Sequence, residues 1–200
     1  MNKVLISSYF PKISYFKNFY SSETVFIEIH ESFQRHSERN RTKILSANGS
    51  ILLTVPVKKN TKYIMKNVEI ADLIWQKKHL MSIRSAYGSA PYFIYYFDDI
   101  KKIIERKHKF LIDLNNEILN YFKDILNIKT ELRNTNEYVK NYPKKFGDYR
   151  TKKINYNFND YPQVFGNKFK SNLSILDLIF NLGPESEGYI NNLSQIKQKQ

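Results

Sequence analysis

Two apolar runs, KVLIS at 3–7 and TVFIEIH at 24–30, flank a segment at 11–20, PKISYFKNFY, that opens on proline. Proline suits the first turn of a helix, and the flanking runs are short and rich in β-branched residues, so the order reads strand, helix, strand. No other feature constrains the fold as much. A helical crossover between neighbouring strands makes them parallel and right-handed, and it carries the ends of both strands, Ser8 and His30, to one rim of the sheet. Residues 44–57, ILSANGSILLTVPV, then read as a hairpin, because Asn48-Gly49 between apolar runs is a strong hairpin signal. KYIMKNVEI at 62–70 offers a further strand.

From Trp75 the apolar period becomes helical, over 75–87, 92–106 and 108–127, with Pro91 separating the first two. IKTELR at 128–133 is a short strand candidate, and residues 134–171, rich in Asn, Lys and Tyr, read as a loop excursion. Ser174 with Asp177 resembles a capping box opening SILDLIFNL, Gly183 stops that helix, and Pro184 begins another. The prediction is a single α/β domain. Residues 1–70 form a mixed sheet with a parallel strand-helix-strand start and a hairpin, 75–127 are helices, and 172–193 hold the C-terminal helices.

Composition bounds the function. At 200 residues and 42% hydrophobic the chain can bury one core but hardly two. Lys and Arg outnumber Asp and Glu by 32 to 19, for a formal charge of +13, which admits phosphorylated, nucleotide, nucleic-acid or membrane-surface partners. Part of the lysine excess matches a general Asn, Ile, Lys and Tyr bias and is compositional. The absence of cysteine excludes disulfides and thiolate chemistry. With no signal-like N-terminus and no apolar stretch near the ~20 residues that span a bilayer, a cytoplasmic location is expected. No dinucleotide fingerprint, Walker A sequence, nucleophile elbow or zincin motif is present.

The densest polar stretch, HESFQRHSERNRTKI at 30–44, begins where the second strand ends, and ligands of open α/β sheets bind beyond the carboxyl ends of parallel strands. Arg39 and Arg41 are two apart, so an extended backbone aims both guanidinium forks at one face, suited to phosphate or carboxylate. The competing reading is a solvated loop that pairs its arginines with Glu31 and Glu38. His30 is a candidate general base or orienting group. No His-x-His or His-x3-His pair accompanies the carboxylates, so no metal site is expected. On the helix from Trp75, His79 lies one turn later on the same stripe, where it is either a proton acceptor or a hydrogen-bonded core residue. Tyr161, Gln163 and Phe165 share one face of an extended stretch that could close over a ligand, and Asn172 and Asp177 are placed to reach it.

The series SYFPKISYF, HESFQRHSERNRTKI, NGSILLTVPV, WQKKHLMSIRSAYGSAPYF, DLNNEI, DYR, YPQVF and NLSILDLIFNLGPES resembles the WbqC-like protein family, in particular its shorter Bacteroidetes-type form, in order from about residue 3 to 190. Ser7-Ser8 stand near the position of a His-Gln pair in longer members, Glu31 and Gln34 approximate the family's acidic and glutamine positions, and Asn40-Arg41 match directly. Asp148-Tyr149-Arg150 matches its acidic-aromatic-basic segment. The resemblance implies surface-polysaccharide (O-antigen type) biosynthesis. Combined with the residues above, it implies a transferase acting on a nucleotide-activated or phosphorylated sugar without a redox cofactor. Arg39 and Arg41 would hold the diphosphate, Glu31 or His30 would activate a nucleophile, and His79 and Arg150 would orient the substrate. The alternatives are a basic module binding nucleic acid, disfavoured because the lysines form no single stripe, and an assembly subunit that meets anionic lipid or a membrane-bound glycosyltransferase.

Overall fold

In a computed structural model of the chain, which describes residues 1–59, 64–71, 74–152, 154–166 and 168–196, strands β1 (Asn2–Ile6) and β2 (Thr24–Glu28) lie side by side and parallel, joined through α1 (Ile13–Lys17). The register sets Val4 against Phe26 and Ile6 against Glu28. Val4, Leu5, Val25 and Ile27 are all buried, as a strand covered on both faces requires. The crossover helix is shorter than the predicted 11–20. Pro11 lies before its first turn rather than in it, next to Phe10 at a left-handed φ of 40°.

The hairpin forms with β3 (Arg41–Ser46) antiparallel to β4 (Gly49–Thr54), as a two-stranded sheet of its own. Gly49 follows the turn at φ 99°, a conformation that glycine adopts without steric cost. The strand expected at 62–70 does not form over its described part, and Lys62 and Tyr63 lie outside the described residues. A 3₁₀ turn at Met65–Asn67 sits between isolated bridges instead. Met65 and Val68 are both fully buried, and a spacing of three belongs to a helical turn. That turn grips the chain beyond β2, since Met65 N–H donates to the Glu31 carbonyl and Lys66 N–H to that of Ile29, each at 2.9 Å.

The three predicted helices are present as α2 (Ile74–Tyr87), α3 (Phe93–Glu105) and α4 (Leu111–Ile125). No helix among the described residues is long and apolar enough to cross a membrane. After α4, β5 (Glu131–Asn134) adds in parallel outside β2. The 134–171 excursion departs from its reading as loop, because β6 (Phe146–Asp148) pairs in parallel with the other edge of β1, and β7 (Tyr156–Asn157) pairs with the C-terminal β8 (Ser194–Gln195). Three residues, one of them glycine, leave no periodicity to read; the open edge of β1 selects them. The parallel sheet therefore runs β5-β2-β1-β6.

Helices α5 (Ile175–Leu182) and α6 (Ser186–Asn191) complete the core. Ser174 caps α5 by accepting from Leu176 N–H, but Asp177 does not close a capping box, its carboxylate being taken by Tyr161 and Gln163. A Cβ on Gly183, at φ 52°, would stand 2.4 Å from the Tyr92 ring, so only glycine ends this helix.

Candidate functional site

The chain leaves β1 towards β2 on one side, whereas β6 is added on the other, so the strand order reverses between the carboxyl ends of β1 and β6. A cavity of about 600 Å³ opens there. Three segments build it: α1 with its flanking residues Lys12 and Asn18 after β1, the loop from Gln34 to Arg39 after β2, and that from Tyr149 to Lys152 after β6. Lys12, Arg39, Arg150 and Lys152 bring four cations to its lining, and Glu38 is the one carboxylate among the described lining residues. Lys12 is paired with Glu38. Lys152 has no acidic partner among the described residues and sits 5.4 Å from the centre of the Tyr149 ring.

Of the residues singled out from sequence, the fold brings Gln34, Arg39 and Arg150 to this wall, with Asn172, whose Oδ1 accepts from Ser14 N–H at 3.0 Å. Arg39 is not a free clamp. Its Nε and Nη2 donate to the two oxygens of Glu31, both at 2.7 Å, and the side chains are only 5% and 11% exposed. Asn115 Nδ2 fixes the same segment from α4, donating to Ser7 Oγ at 2.9 Å and the Arg39 carbonyl at 2.8 Å. Arg41 points elsewhere: it lies on β3, hydrogen-bonded to His36, and is not part of the cavity lining. The expected diphosphate fork of Arg39 with Arg41 therefore does not assemble. Asn40 stands between them as a hairpin tie, donating from Nδ2 to the Val55 carbonyl and accepting Val55 N–H on its own carbonyl. Ser8 likewise holds the loop, its hydroxyl and the Tyr9 N–H both donating to the Glu38 carbonyl.

Arg150 carries the second network. Nε and Nη2 reach the two Asp148 oxygens at 3.0 and 2.6 Å, Nη1 reaches Glu28 Oε2 at 3.3 Å, and the guanidinium lies 5.3 and 4.9 Å from the Tyr138 and Tyr142 ring centres. The hydrogen bond from Arg150 is the main cause holding the Asp148 carboxyl below its ordinary range. Glu28, with no exposed surface, also accepts from His30 N–H and from Thr135 Oγ1. His30 thus faces this cluster, its Nδ1 3.3 Å from Thr135 Oγ1. Glu28 was legible only as a lone acid inside the apolar run TVFIEIH. Lys3, similarly placed in KVLIS, was missed: it is buried, bonded to the Asn18 carbonyl and Ser21 Oγ, and burial lowers its pKa to about 8.

His79 and Gln163 belong to other parts of the molecule. Gln163 ties its loop to α5, donating to Asp177 at 2.7 Å. His79 is buried, its Nδ1 hydrogen-bonded with Tyr9 OH at 2.9 Å, and desolvation brings its pKa from 6.5 down to about 4. Its unfolded counterpart binds a proton first, so the stability it contributes is whole above pH 6.5 and is lost as pH falls towards 4, by roughly 3 kcal/mol at most. Urea unfolding of wild type and His79→Gln at pH 7 and pH 4.5 checks this; the variant should lose less stability on acidification, and equal losses exclude His79 as the cause.

With this geometry in hand, the model of the WbqC-like protein family matches residues 7–153 and 141–189 of the chain. The chain belongs to the WbqC-like protein family. The matched segments include every cavity residue from Lys12 to Asn172. The WbqC-like chain is also similar to a curated protein of Mycobacterium tuberculosis (strain ATCC 25618 / H37Rv) named "Uncharacterized protein Rv1507c", at 27% identity over 233 residues, 95% of this chain and 98% of the relative. No solved structure matches it.

Proposed function

We propose that this WbqC-like protein is a cytoplasmic transferase of surface-polysaccharide assembly, of the O-antigen type, that binds a nucleotide-activated or phosphorylated sugar in the cavity between β1 and β6. The observation that carries the reading is the place of that cavity, at the strand-order reversal of a parallel sheet, with Lys152 in its lining as a cation that has no acidic partner among the described residues. Its volume is in the range of small-molecule sites. In this reading Lys152 and Lys12 take the phosphates, Gln34 and Asn172 offer amides to sugar hydroxyls, and Arg39 and Arg150, each held by its acids, brace the wall that carries them. An acceptor hydroxyl or amine attacks the activated carbon, the bond to the phosphate leaving group breaks, and Glu38, displaced from Lys12 by the incoming phosphate, accepts the proton. Direct displacement of this kind needs no redox cofactor.

Calorimetric titration of nucleoside diphosphate sugars and sugar phosphates tests the reading. Wild type should bind at least one of them saturably. Lys152→Ala should bind it about tenfold to a hundredfold more weakly, the worth of a charged hydrogen bond, with an unchanged melting curve, since the ammonium is not part of a buried pair. Failure of every such ligand to bind wild type, or full affinity in Lys152→Ala, removes the proposal.

A further inference from the structure

Helix α2 buries Trp75, His79, Ile83, Ala86 and Tyr87, and the opposite side of the helix faces outwards. Along that side, at spacings of three and four, stand Ile74, Lys77, Lys78, Met81 and Arg84, all exposed. Ile74 is 65% exposed and Met81 63%. Leu52, 47% exposed on β4, borders the same face, since it lines one groove together with Ile74 and Lys78. The cations set between these aliphatic tips are uncompensated. Lys77 and Lys78 form no ion pair among the described residues, and Arg84 lies over the Phe97 ring, 5.1 Å from its centre, rather than against an acid. The sequence of α2 holds no Asp or Glu. Lys101 of α3 adds a further cation across the adjoining groove, where Glu105 is the one carboxylate among the described lining residues. None of these residues lines the cavity between β1 and β6.

Aliphatic tips interleaved with uncompensated cations fit one kind of surface. A single-stranded nucleic acid would stack its bases on exposed rings, and this face of α2 presents none. A protein partner would have to strip water from lysines, which is why lysine is depleted in the cores of protein interfaces. A bilayer requires neither rings nor a matched shape. Its headgroup boundary takes the aliphatic tips, while the long stems of Lys and Arg keep their charges at the level of the lipid phosphates. We propose that the outer face of α2 docks the protein peripherally on an anionic membrane surface, the helix lying in the plane of the headgroups. Ile74, Met81 and Leu52 enter the boundary, and Lys77, Lys78 and Arg84 meet the anionic lipid. The docking is independent of what the cavity binds.

Co-sedimentation of the full chain with vesicles tests this, using an equal mixture of phosphatidylglycerol and phosphatidylcholine beside phosphatidylcholine alone. Saturable binding to the mixture is expected, weakening as salt rises, with little binding to phosphatidylcholine. Lys77→Gln and Lys78→Gln should each weaken it about fivefold, the effect of one cation near an anionic surface. Met81→Ser should weaken it about tenfold, through lost apolar burial. All three side chains are exposed, so the melting curves should match wild type. The chain as a whole carries a formal charge of +13, and a control separates this face from that total. Lys144→Gln with Lys145→Gln, an equally exposed pair ahead of β6, should leave binding unchanged. Equal binding to both kinds of vesicle, no binding to either, or a loss in the control pair as large as that in Lys77→Gln with Lys78→Gln overturns the proposal. Full affinity in Met81→Ser does so too, by reducing the contact to charge alone. Saturable binding of polyglutamate without binding to the mixed vesicles overturns it in favour of an acidic protein partner.

Discussion

Arg39→Met is expected to lower the stability of the protein by about 3–5 kcal/mol, because it leaves the Glu31 carboxylate buried without a partner. The pair is nearly free of solvent, bidentate, and closed on both sides, by Asn115 on the Arg39 carbonyl and by Met65 N–H on that of Glu31. For a chain of this size each kcal/mol moves the midpoint by about 2–4 °C, so thermal unfolding followed by circular dichroism resolves the effect easily. Arg39→Lys keeps the charge but has no planar fork, and should fall between the two. The double variant Arg39→Met with Glu31→Met should recover most of the loss, since apolar replacement of a whole buried pair is often neutral or better. A single variant as stable as wild type, but unable to bind a ligand that wild type binds, would restore Arg39 to the role of an anion clamp.

The second large effect is expected at Arg150. It joins Glu28 at the end of β2 to Asp148 at the end of β6, across the intervening β1. Arg150→Ala removes the partner of a carboxylate with no solvent exposure and should cost about 3–5 kcal/mol at neutral pH. The Asp148 share of that loss has a definite sign. Its folded pKa is lowered by Arg150, so its contribution is present above the ordinary carboxylate range and is lost as pH falls below that range and through the lowered folded value; the gap between variant and wild type should narrow on acidification. Because β6 is only three residues long and Arg150 ties the chain just beyond it, hydrogen exchange should accelerate first at Gly147 to Tyr149. Protection in the variant equal to wild type at these amides would mean that backbone pairing with β1 alone holds the strand.

Both predictions rest on pairs that sequence spacing could not assign. Arg39 and Glu31 are eight residues apart, and their pairing was one of two open readings; Arg150 and Glu28 are 122 apart. A charged residue in a sequence is silent about its partner, because the distance that matters is set by where loops are carried. The same holds for the cavity. Ser8 and His30 were expected at its rim as strand ends, yet Ser8 braces a carbonyl and His30 turns to Thr135, while Lys12 and Lys152 supply the charge that faces the open space. The tyrosine stretch Tyr161 to Phe165 was read as a closing loop. Its polar groups are bonded to Asp177 instead.

Local physics was enough for the rest. The strand-helix-strand start, the Asn48-Gly49 hairpin and the three central helices follow from period, turn chemistry and capping, which act over a few residues and survive without a partner. From the sequence alone came a single α/β domain, parallel β1 and β2, and a polar loop at their carboxyl ends. Only the tertiary structure decided that β6 takes the free edge of β1, which opens the cavity at that boundary, and that two of the three arginines in or near it are held by buried acids. Edge pairing and ion pairing are long-range choices, made by whichever group arrives with matching geometry once the local elements have packed.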